Sequence, residues 1–143
     1  MQADPQVIPR AFIEFLMTSR PAQLNEVQMM AYRAFWYDST IQKGGHALFL
    51  ANHGSEGIDE VTGSLEQIGA GPQADLLREA GARWQSRDRL ETRDLSAYVK
   101  ATSESEFLDL DSMYQECVPS ISELLERYLH ENVDQFIQVV EEI

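Results

Sequence analysis

Apolar residues recur along this chain at steps of three and four, and strict apolar–polar alternation is missing. The first spacing lines one face of an α-helix, and the second would line one face of a strand. Runs rich in Val, Ile and Thr are also missing, so no sheet is predicted. A first helix is expected over residues 9–18, with Pro9 in its first turn and Phe12, Phe15 and Leu16 on one side. A long second helix is expected over 22–42. Leu24, Val27, Met30, Ala31, Ala34 and Phe35 mark its inner face, and Ile41 extends it.

The stretch "IQKGGHALFLANHG", residues 41–54, then interrupts the pattern. Helices commonly end on a glycine in the left-handed conformation, because glycine has no Cβ to clash. Gly44 or Gly45 is assigned that corner. "HALFLAN" follows as a short helix that Gly54 ends, and Ser55 is placed to cap the next one. In that helix Ile58, Val61, Leu65 and Ile68 form the apolar stripe. "GAGP" breaks it, and Pro72 opens another helix with Ala74, Leu77, Ala80 and Trp84 inward. Residues 85–94 read as a polar loop, and Leu95, Tyr98 and Val99 as a short helix. "SESE" at 103–106 and "SISE" at 120–123 both have capping-box spacing. The last helix carries one continuous stripe from Ile121 through Leu124, Leu125, Tyr128, Leu129, Val133, Phe136 and Ile137 to Val140. The expected architecture is all-α: one compact domain spanning residues 1–143, a bundle of about seven helices.

Composition adds little except through charge. With 143 residues and 43% hydrophobic residues the chain has ordinary globular make-up. The single cysteine, Cys117, cannot form an internal disulfide and reads as a small buried hydrophobe. The start has no basic segment followed by an apolar run, and no apolar run approaches membrane-spanning length, so a cytoplasmic location is expected. The formal net charge is −13, and it is uneven. Residues 101–143 hold 11 acids and one base, Arg127, whereas residues 76–100 hold 4 acids and 6 bases. Such a chain repels nucleic acid and anionic membrane, so neither is an expected direct partner. The arginines at 78, 83, 87, 89 and 93 are interleaved with acids and are assigned as counter-ions to the acidic third.

The paired glycines and their histidines could serve three chemistries. A phosphate loop needs a preceding strand and a following Lys-Ser/Thr, and neither is present. His46, His53, Asp59 and Glu60 include metal-ligating types but lack a recognised ligand spacing, so no metal is predicted. No nucleophile motif is visible, and no catalytic residue or cofactor is assigned.

The carboxylates remain. On a helical wheel Glu123, Asp134 and Glu141 point together, opposite the apolar stripe, with Glu126, Glu131 and Glu142 beside them. That is about one charge per 5 Å of helix, against about one per 1.7 Å in duplex DNA. If the segment with Glu104, Glu106, Asp109, Asp111 and Glu116 packed alongside, the density would approach about one per 3 Å. Asp111 lies towards Phe107 and Tyr114 on its wheel, so a hydrogen-bonding partner inside the fold is expected for it.

Several segments in order sharpen this reading: "GGHALFLAN" after a long helix, "LEQIGAGPQADLLREA", "FLDLDSMY" and "LLERYLHENVDQFI". Together they resemble the bacterial DNA-mimic protein C-terminal domain family over about residues 24–137. Gly44, Gly45, Phe49, Asn52, Ile68, Gly69, Ala70, Leu110, Asp111, Tyr114, Asn132 and Phe136 carry the resemblance, with Gly44, Gly45, Asn52 and Asp111 as its structural motif. Three positions depart from the pattern: Lys43 stands where Asn is usual, His46 where Phe is, and Leu48 where Gln is. The resemblance implies an all-α fold and an acidic surface that occupies the DNA-binding face of a transcription factor or nucleoid protein. Glu104, Glu106, Asp109, Glu123, Glu126, Glu131 and Asp134 are then the expected contacts to a basic, DNA-binding partner. A homo-oligomer is left open. Two rival classes stand beside this one. One is an immunity or antitoxin-type inhibitor of a toxin. The other is an enzyme of unknown class, built around a cleft near His46, His53 and Asn52.

Overall fold

The computed structural model describes residues 10–53, 57–86, 99 and 106–136. Six α-helices lie among them: α1 (Arg10–Thr18), α2 (Glu26–His53), α3 (Ile58–Gln67), α4 (Gly71–Ser86), α5 (Leu108–Glu116) and α6 (Ile121–Glu131). Short 3₁₀ turns occupy Pro21–Gln23 and Val133–Phe136, and no strand occurs among the described residues. The expected all-α class is observed. The helix expected around residues 95–99 lies outside the described residues except for Val99, which is helical.

α2 is the hub, in contact with α1, α3, α4, α5, α6 and the final 3₁₀ turn. Its 28 residues are two helical arms that meet at the expected corner, because the backbone leaves helical geometry at Gly45 (φ 70°, ψ −170°). Gly44 stays helical. The first arm buries Ala31, Ala34, Tyr37 and Ile41, while Val27, Met30 and Phe35 pack at the core's edge. The second arm buries His46, Ala47, Phe49, Leu50 and Ala51.

α3 ends at Gly69 (φ 95°), where Ala70 N–H reaches back to the Leu65 carbonyl at 2.7 Å, a left-handed glycine stop. α4 then returns against α3. Its Gly81 allows the close approach: a Cβ there would sit 2.7 Å from Ile58 Cδ1. The helix also extends through Gln85 and Ser86, two residues into the expected loop.

Several expected helix ends move. The N-cap of α3 is Gly57 (φ 80°) rather than Ser55, which lies outside the described residues together with Gly54. α5 begins after Phe107, not at a box closed by Ser103, which is likewise outside. The box at Ser120 is real: Ser120 Oγ accepts from Glu123 N–H at 3.3 Å, and Glu123 Oε1 accepts from Ser120 N–H at 3.4 Å. The largest departure is α6 itself, which stops at Glu131. Asn132 caps it by donating its side-chain amide to the Tyr128 carbonyl at 2.9 Å, in competition with continued helix. The chain then tightens into a 3₁₀ turn that buries Phe136 edge-on against Phe12, centroids 5.2 Å apart, and leaves Val133 exposed. Ile137 and Val140 lie outside the described residues. No helix among the described residues is long and apolar enough to cross a membrane.

Candidate partner-binding face

Among the described residues, the acidic third is not one ridge. α5 packs on α2 and α4, while α6 packs on α2 and the final turn, so the two acidic segments are held apart on the hub rather than laid alongside each other. The cause is apolar: Leu110 and Tyr114 anchor α5, and Ile121, Leu124, Leu125 and Leu129 anchor α6. The break at Asn132 also removes the wheel on which Glu123 and Asp134 coincided.

Each carboxylate then has its own setting. Asp109 is exposed but engaged, because Arg83 donates to both its oxygens at 2.8 and 2.9 Å. The same guanidinium also meets Glu79 at 3.1 Å and the Glu106 carbonyl at 3.2 Å. Arg83's hydrogen bonds hold the Asp109 carboxyl well below the usual range, at about 2. Glu106 is half-buried. Glu123 is half-buried and committed to the α6 cap. Glu126 does not belong to an exposed face: it is 4% exposed, with Oε1 3.7 Å from His130 Nε2 and no hydrogen-bond partner for Oε2 among the described residues. Glu131 and Asp134 are exposed, as is Glu116 on α5, and none of the three has an ion pair among the described residues. Glu104 lies outside the described residues, as do Glu141 and Glu142. Of the arginines, Arg83 serves the acidic third, whereas Arg78 pairs with Glu66 at 3.0 Å and Asp75 at 3.1 Å; Arg87, Arg89 and Arg93 lie outside.

The motif residues form a second, buried construction. Asp111 does have its partner inside the fold. Its Oδ1 accepts from the His46 backbone N–H at 2.9 Å and from His46 Nδ1 at 2.7 Å. A carboxylate only accepts, so Nδ1 carries a proton; in the neutral imidazole Nε2 then accepts from the Tyr37 hydroxyl at 2.6 Å. Beside this array Tyr114 donates to Asp38 Oδ1 at 2.6 Å. Burial first, and nearby carboxylates second, push both tyrosine hydroxyls well above their ordinary range, so both stay protonated donors. The order Asp–His–Tyr is that of a proton relay, but His46 and Tyr37 are buried and Asp111 alone is partly exposed. The array joins the two arms of α2 to α5. Sequence reasoning missed His46 as the partner of Asp111; the signal was the polar residue standing where Phe was expected. His53 is exposed and stacks on Phe49 with centroids 4.5 Å apart, and Asn52 is exposed. The two histidines therefore share no cleft.

A family model described as DMP19-like protein matches residues 22–132, from the first 3₁₀ turn to the cap of α6. The chain belongs to the DMP19-like protein family. The matched span contains the whole of α2–α6 with the buried array. The family is of the DNA-mimic type. No curated protein and no solved structure matches the chain.

Proposed function

We propose that this chain is an acidic binding protein that occupies the nucleic-acid-binding face of a basic partner, such as a transcription factor or nucleoid protein, in place of DNA. The observation that carries the reading is the set of exposed carboxylates Glu116, Glu131 and Asp134, without an ion pair among the described residues, in a third of the chain with a net charge of −10, on a fold whose family is of the DNA-mimic type. Carboxylates accept the same arginine and lysine hydrogen bonds that phosphates accept. The field of the acidic third steers a basic protein towards it. Asp109 joins the face only as a shared ligand, since Arg83 already holds both its oxygens.

The reading is tested by reversing charge where it is free. Glu131→Lys with Asp134→Lys should weaken binding to a partner captured from the native cytoplasm by about tenfold or more. The melting curve should hardly move, because neither side chain carries a structural bond among the described residues. Unchanged affinity would remove this face from the contact. Glu123 is the wrong site for that experiment, because its loss would also uncap α6.

A further inference from the structure

We infer that the outer face of α5 docks a basic amphipathic helix of the partner, with Leu108, Met113 and Val118 as apolar anchors between the acids. Single exposed hydrophobic residues mean little. Here, three of the six large exposed ones among the described residues fall within residues 108–118: Leu108 at 63%, Met113 at 52% and Val118 at 84% exposed. α5 turns its Leu110 and Tyr114 side into the core. Outward it presents two adjacent ridges of residues four apart, Leu108–Ser112–Glu116 and Asp109–Met113, all exposed. Each ridge combines one large apolar side chain with one carboxylate, and Val118, 84% exposed, follows two residues past the helix end.

Imitating a phosphate backbone needs no leucine or methionine, so this face asks for something that DNA lacks. Charge selects the occupant. A second copy of this chain would bring its own net −13 against the acidic third, and an anionic membrane is repelled in the same way. A helix with lysines or arginines flanking an apolar stripe meets both features: the stripe covers Leu108, Met113 and Val118, and the cations reach Glu116 and share Asp109 with Arg83. The inference rests on the proposed basic partner and adds what that partner carries at the contact.

The test titrates the full chain with three synthetic peptides of equal length and equal lysine count. One is a leucine–lysine peptide patterned as an amphipathic helix, one is its scrambled version, and one replaces every leucine with serine. Titrations run at about 0.1 M and about 1 M NaCl, between which the screening length falls from about 10 Å to about 3 Å. All three should bind at low salt, and the patterned helix alone should persist at high salt. Leu108→Ser, Met113→Ser and Val118→Ser together should weaken the patterned helix by roughly tenfold, which is about 1.4 kcal/mol, and leave the serine–lysine peptide unchanged. All three positions are on the surface, and circular dichroism confirms that the triple variant stays folded. Equal binding of patterned and scrambled peptides, or indifference to the triple variant, overturns the docking face while the acidic-face reading stands. Failure of every peptide to bind at low salt overturns both.

Discussion

Gly45 is where the fold depends most on one atom being absent. Its φ of 70° is costly for any residue with a Cβ, and that Cβ would also stand 2.2 Å from Asp111 Oδ2. Strain and collision therefore add, and the collision falls on the carboxylate that holds His46. Gly45→Ala should cost about 2 kcal/mol or more, roughly 5 °C or more in the melting temperature. Gly44→Ala, at a helical position, should stay within about 0.5 kcal/mol of the parent in the same thermal melts. Equal tolerance at both sites would contradict the corner. Asp109 gives a second residue-scale check. Its folded carboxyl is depressed from 3.8 to about 2 by Arg83, so the pair's contribution to stability is present above pH 3.8 and is lost as pH falls through about 2. The contribution is small, because Asp109 is exposed to screening solvent. The titration itself is the sharper readout. Carboxyl NMR should place Asp109 near pH 2 in the parent and return it to the ordinary carboxylate range in Arg83→Met.

At the scale of elements, what was local was legible and what was tertiary was not. Ser120 and Glu123 sit three apart before an apolar run, and the capping box they spell is formed. Ser120→Ala should cost about 1 kcal/mol in chemical denaturation, by removing the acceptor for Glu123 N–H. No loss at all would mean that the start of α6 is held by packing alone. The glycine stops at 45 and 69 were legible for the same reason: a backbone conformation is written in the residue that permits it. The end of α6 was not. The stripe through Val133, Phe136 and Val140 reads as helix, yet Phe136 is drawn under Phe12 and Phe15 by a packing that only the folded chain defines. The same limit applies to the acids. A wheel places Glu126 on a flank of the polar face, but α6 sits deep enough against its neighbours to bury it. Asp111 could be read as inward from its wheel. That its partner is His46, 65 residues earlier, follows only from the bend in α2.

Over the whole molecule, charge is concentrated in the final third, and among the described residues it is spread over two helices that the hub keeps apart. The described surface is thus sparser in charge than a phosphate backbone, with some carboxylates spent on a cap, on Arg83 or on burial. Fewer condensed counter-ions are released when a partner binds, so affinity should fall with salt less steeply than the same partner's affinity for DNA. The central claim is that this protein and DNA use one face of one partner. It is tested most directly by capturing a partner with the full chain and titrating duplex DNA into the complex at low salt. The account predicts that DNA displaces this protein, and that this protein displaces DNA in the reverse titration. A ternary complex, with both bound at undiminished affinity, would contradict it.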